Sequence, residues 1–172
     1  MLTVLLVGTN HKYQRETPGV LANEIDDFRE YLRQAVATNG VAAIAEEMSI
    51  AALAENGLYN SVAQGVASQL SILHDLADPS PEERDRLGIQ QRNEIELAGL
   101  FADKDQCEIE AEVRQSYDIR EEYWASRLST MGTYPVLFIC GAAHVNSFQD
   151  KLLVLGHDVI VLTENWVPRA GA

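Results

Sequence analysis

The chain has 172 residues, 47% hydrophobic and 23% charged, and its 26 acidic and 13 basic side chains leave a formal charge of −13. That length suits a single domain with a proper core, and the composition excludes wholesale disorder and fibrous repeats. Such acidity repels phosphate backbones and anionic membranes, so neither a nucleic-acid nor a membrane partner is expected, whereas divalent cations are natural company.

In chain order, the first predicted element is a strand from Thr3 to Val7, a β-branched and aliphatic run of the kind covered on both faces. It is too short to span a membrane and lacks the basic flank of a signal peptide. Gly8-Thr9-Asn10-His11 follows at once. Val20 to Val36 has helical spacing, with Ile25, Phe28 and Leu32 on one stripe. Asn39-Gly40 ends that helix and introduces a weaker strand, Val41 to Ala45, which runs into Glu46-Glu47. Two short helices, Ile50 to Asn56 and Ser61 to Ser68, are separated by Gly57. A third strand is expected at Leu70 to Leu73, followed by His74-Asp75 and Asp78.

Ser80-Pro81-Glu82-Glu83 has the marks of a helix start: a serine cap, proline at the first position and acids in the first turn. Longer helices are predicted over Arg92 to Leu100 and Ile109 to Met131. Pro135 to Cys140 is the most apolar strand, and Gly141-Ala142-Ala143-His144 closes it. A short helix, Val145 to Leu155, and a fifth strand, Asp158 to Leu162, complete the pattern. His157 precedes that last strand and so falls at the opposite edge of the sheet, where a structural role is expected.

This alternation predicts one α/β domain over residues 1–172. Its sheet is mainly parallel, of about five strands, with helices on both faces and a helical insertion before the fourth strand. In such sheets ligands bind beyond the carboxyl ends of the strands. His11, Glu46-Glu47, His74-Asp75 and His144 each follow a predicted strand. Gly8 and Gly141 allow the backbone to turn sharply, and a histidine three residues later can ligate a metal or exchange a proton near neutral pH. Adjacent side chains on an extended segment point opposite ways, so only one of Glu46 and Glu47 faces the site. His, carboxylate and His together suit zinc, manganese or iron. Arg120 is the candidate cation for an anionic substrate or intermediate. Asn10, Gly8, Gly141 and Asn146 are candidates for binding a ligand.

There is no GxGxxG, Walker-type, GxSxG or HExxH motif. Cys107 and Cys140 lack metal-binding or redox spacing, which points to a reducing, cytoplasmic setting.

Leu5-Leu6-Val7-Gly8-Thr9-Asn10-His11, Ile44-Ala45-Glu46-Glu47-Met48, Arg120-Glu121 and Phe138-Ile139-Cys140-Gly141-Ala142-Ala143-His144 follow one another in a known order. That order resembles the superfamily of TraB pheromone-shutdown proteins, TIKI metalloproteases, erythromycin esterases and ChaN-type haem-binding lipoproteins. The resemblance implies an α/β fold in which the paired histidines and the glutamate converge in one pocket. The expectation is therefore a hydrolase of ester, amide or phosphoester bonds, acting on a small-molecule or peptide substrate. Its divalent metal would be held by His11, Glu47 (or Glu46) and His144, with Arg120 stabilising negative charge. The alternative expectation is a non-catalytic domain that binds or senses a small molecule or nucleotide with the same loops. The apolar residues of the helical region 80–131 either cover the sheet or support a homodimer.

Overall fold

The computed structural model describes residues 2–17 and 19–169. Its strands are β1 (Thr3–Thr9), β2 (Ala43–Glu46), β3 (Leu73–Leu76), β4 (Val136–Gly141) and β5 (Asp158–Trp166). Its helices are α1 (His11–Gln14), α2 (Ala22–Asn39), α3 (Ile50–Glu55), α4 (Val62–Leu70), α5 (Pro81–Leu87), α6 (Arg92–Phe101), α7 (Gln106–Met131) and α8 (Val145–Val154). A single 3₁₀ turn, Ala142–His144, joins β4 to α8.

All strand pairs are parallel, and the sheet order is β3-β2-β4-β1-β5. The central strands are apolar on both faces because helices cover both. Leu5, Val7, Ile44, Leu137 and Ile139 pack with Phe28 and Leu32 of α2 and Val66 of α4. Their sequence neighbours Val4, Leu6, Ala43, Val136 and Phe138 face the other way, against Trp124 and Leu128 of α7 and Phe148 of α8. The two-residue period of a strand divides the core in this manner.

The expected α/β class, parallel sheet and two helical layers are all found. Between β3 and β4 the chain runs through α5, α6 and α7, the predicted helical insertion. The apolar residues of this insertion divide in function. Trp124 and Leu128 cover the sheet, whereas Ile95, Ile109 and Val113 form a small core of their own beside Tyr117. Leu97, Leu100 and Phe101 remain exposed.

The third strand corrects the expectation of Leu70 to Leu73. Leu70 is the last residue of α4, and Ser71 caps that helix with a left-handed φ of 56°. The strand begins only at Leu73, because a short apolar run does not by itself separate a helix end from a strand. His74 and Asp75 consequently lie inside β3 and not beyond it. Among the described residues no helix is long and apolar enough to cross a membrane.

Gly8 is required for a packing reason. A Cβ there would stand 1.9 Å from the Glu164 carbonyl oxygen and 2.5 Å from Val145 Cγ2. The β1–β5 register slips on either side of Val7, so β5 crowds the exit of β1.

Candidate functional site

Because β4 lies between β1 and β2, three strand exits are adjacent on one edge, with Thr9 paired to Gly141 and Glu46 to Ile139. Asn10 caps α1 by accepting the Lys12 N–H, and this turns His11 back over the sheet edge. Glu47 directly follows β2. The 3₁₀ turn after Gly141 carries His144 inward, where Tyr117 and Trp124 pack against its ring at 4.0 and 4.9 Å between centroids. The long helix α7 supplies Arg120 from above.

Glu47 is the centre of the arrangement. Its Oε2 accepts the Gly141 N–H at 2.6 Å. Its Oε1 lies 3.0 Å from Arg120 Nη1, 3.5 Å from His11 Nε2 and 3.7 Å from His144 Nε2. Both imidazoles therefore face one oxygen and share one pocket, as parallel neighbouring strands require. Yet this buried Oε1 receives no aligned hydrogen bond. Burial alone would push the Glu47 carboxyl up. The charges of Arg120, His11 and His144, with the Gly141 N–H, hold it below the usual carboxylate range instead.

Arg120 is itself fixed, its Nε and Nη2 each donating at 2.7 Å to one oxygen of Asp78. Trp124 Nε1 donates to Asp78 Oδ1 at 3.1 Å. Burial opposes the guanidinium charge, but Glu47 and Asp78 outweigh it and raise the Arg120 pKa above its ordinary value.

Each histidine is held from behind. His144 Nδ1 lies 2.8 Å from Glu121 Oε1, and Ser147 Oγ donates to the same oxygen. A carboxylate only accepts, so His144 carries its proton on Nδ1 and presents Nε2 to Glu47. His11 Nδ1 lies 2.8 Å from Gln14 Oε1. The amide orientation follows because Gln14 Nε2 donates to Glu46 Oε2 at 3.2 Å. His11 is thereby also a donor at Nδ1, with Nε2 turned to the pocket.

The structure separates the two adjacent glutamates. Glu47 faces the site, while Glu46 points to the opposite face of the sheet and meets His74 Nε2 at 2.8 Å, Ser61 Oγ and Gln14. Asp75 pairs with Arg127 and lies outside the pocket. Gly141 sits close against the site, since a Cβ there would stand 3.1 Å from His11 Nε2 and 3.3 Å from Glu47 Oε2 and would press both side chains back by a few tenths of an ångström. Asn146 is exposed on the first turn of α8, away from the cavities described here. His157 is buried before β5, close to the Leu2 carbonyl.

Gln14 and Glu121 were missed as site residues. Gln14 had a faint signal, three residues after His11 and hence on the same face of a helical turn. Glu121 stands beside Arg120 in the Arg120-Glu121 motif, but its pairing with His144, 23 residues away, leaves no local mark.

Two cavities open over this cluster and share His11, Glu47, Gln91 and Arg120. One, of about 450 Å³, extends past Arg15, Met48 and Arg84; the other, of about 410 Å³, extends past Tyr117, His144 and Asn165. A larger cavity of about 780 Å³ lies between α2 and α4 and contains none of the expected site residues.

The donor set fits a divalent metal: two imidazole Nε2 atoms facing a buried carboxylate oxygen whose contact with Arg120 is not an aligned hydrogen bond. The 3.5 and 3.7 Å separations are close to the roughly 3.4 Å between ligand atoms in a tetrahedral shell with 2.0–2.1 Å bonds. The shell is not closed as it stands. Among the described residues no group of three His, Cys, Asp or Glu side chains is gathered to hold an ion. Arg120 leans on Glu47 Oε1, and His11 keeps 40% of its side chain exposed while Gln14 holds its Nδ1. No family model, curated protein or solved structure matches the chain.

Proposed function

We propose that the chain is a hydrolase whose site takes a divalent metal ion on His11, Glu47 and His144. The observation that carries this reading is Glu47 Oε1, a buried oxygen without a hydrogen bond between two imidazole Nε2 atoms. Two buried carboxylates, Glu47 and Asp78, pair with Arg120, and the Glu47 oxygen that meets Arg120 also faces both imidazoles.

A bound ion would supply the Lewis acidity that ionises water near neutral pH. Glu121 and Gln14 keep the two imidazoles in the tautomer that leaves Nε2 bare. Asp78 aims Arg120 at the pocket, where its guanidinium faces negative charge developing on an ester, amide or phosphoester oxygen. The exposed side of His11 leaves a way in for water and substrate. This proposal keeps the resemblance to the TraB, TIKI and erythromycin esterase superfamily, a cytoplasmic setting, and self-association through the exposed residues of α6.

Metal analysis after reconstitution with Mn, Zn, Co or Fe tests the reading. Wild type should hold about one ion per chain, and His11→Ala and Glu47→Gln should hold little. Equally negligible metal in all three proteins sinks it. A second reading, a non-catalytic anion-sensing domain, is favoured by the contact already made between Arg120 and Glu47. Thermal stabilisation by nucleotides with no response to EDTA or metal would select that reading.

A further inference from the structure

The described residues contain five buried side-chain polar atoms without a hydrogen-bond partner, and three of them line one cavity: Arg15 Nε, Glu47 Oε1 and Arg84 Nε. The coincidence is chemical as well as spatial. Glu47 Oε1 already has Arg120 Nη1 at 3.0 Å, whereas the two guanidinium Nε–H groups have no acceptor and call for an anion. Neither Arg15 nor Arg84 forms an ion pair among the described residues, although acidic residues outnumber basic ones two to one. The arginines come from separate elements. Arg15 directly follows α1, four residues after His11, and Arg84 lies in α5.

We propose that this cavity binds the phosphate group of a phosphoester substrate, with Arg15 and Arg84 as its anion-binding residues. The inference rests on the hydrolase reading of the same site, and it names the substrate class. Two guanidiniums from different directions, with Arg120 as a third, demand an acceptor whose oxygens diverge. A carboxylate has two coplanar oxygens, which one guanidinium fork satisfies; a tetrahedral phosphate offers oxygens to several donors at once. Acidic side chains at the rim, Glu55, Asp85 and Glu94, work against anion binding. Glu94 is partly engaged, since its carboxylate accepts the Gln91 N–H. The cavity is otherwise polar and large enough, at about 450 Å³, for a small ester. Hydrolysis would join the water oxygen to phosphorus and break the bridging P–O bond. One water proton would leave on the alcohol, with no oxidant or further reactant.

Calorimetric titration with inorganic phosphate tests this on the full chain, both EDTA-treated and metal-loaded. Wild type should bind phosphate in both states and prefer it to acetate. Arg15→Gln and Arg84→Gln should each weaken binding by about tenfold or more, the loss expected for a charge-assisted hydrogen bond. Arg86→Gln, on the exposed side of α5 and outside the cavity, should stay within about twofold. Circular dichroism of every variant guards against misfolding, and Arg84→Lys, which keeps charge but loses Nε, should bind with intermediate affinity. Absence of phosphate binding by wild type, wild-type affinity in both Gln variants, or equal affinity for acetate overturns the proposal. The two readings fail separately. Metal uptake without phosphate binding defeats only this inference, and phosphate binding without metal uptake defeats only the hydrolase.

Discussion

Gln14 shows how one side chain sets the state of another. It is fully buried, and its amide cannot rotate without losing either Glu46 or His11. That constraint fixes the His11 tautomer, and residues behind a metal-binding imidazole commonly govern its affinity. Gln14→Leu should therefore lower metal affinity by about 10- to 100-fold while the far-ultraviolet dichroism stays that of wild type. Some stability is lost as well, about 1–3 kcal/mol, because Glu46 Oε2 is left without its donor. Competition with a chelator of known affinity measures the first effect. Unchanged affinity would mean that the amide only fills space.

At the scale of an element, α5 shows how a short helix is held where it is needed. Ser80 and Glu83 form a reciprocal capping box, with Pro81 in the first turn. Glu83 also accepts the Tyr123 hydroxyl at 2.9 Å, which ties α5 to α7 and sets Arg84 beside the cavity. The Ser80 N–H and the Tyr123 hydroxyl hold the Glu83 carboxyl below its ordinary range. A carboxyl whose pKa is lower in the folded state contributes stability above its unfolded value, and that stability is lost as pH falls through the folded one. Glu83→Gln should thus flatten the loss of stability from about pH 5 downward, leaving the neutral-to-alkaline limb parallel to wild type. Urea unfolding at a series of pH values checks this. The effect should be small, since Glu83 is well solvated, and curves that diverge only above pH 6 would refute it.

For the whole molecule, assembly is tested on α6, where Leu97, Leu100 and Phe101 are exposed. Three large apolar side chains on one short helix invite burial. Light scattering at high micromolar concentration should report a dimer, and Leu100→Glu with Phe101→Ser should return a monomer. A monomeric wild type would end the idea. The geometry of the site depends on sheet order together with α1 and α7. With β4 inserted between β1 and β2, three exits converge and α7 roofs them.

The sequence by itself determined the α/β class, the strongly apolar strands and the helix starts with good caps, because periodicity and capping act over a few residues, as at Ser80. The meeting of His11 with His144 needed β1 and β4 to be neighbours, and the demand for glycine at position 8 comes from Glu164 and Val145. The sequence misplaced β3 because Leu70 and Leu73 belong to different elements, and only the left-handed Ser71 divides them. It could restrict the site to one of Glu46 and Glu47 but not choose between them. That choice required the sheet order, which gives Glu47 to the cavity and Glu46 to the buried cluster of Gln14, Ser61 and His74. The Asp78–Arg120, Glu121–His144 and Glu46–His74 contacts span 42, 23 and 28 residues. No local pattern marks such pairs. They exist because packing on the sheet brings charges to one edge, where burial makes each of them need a partner.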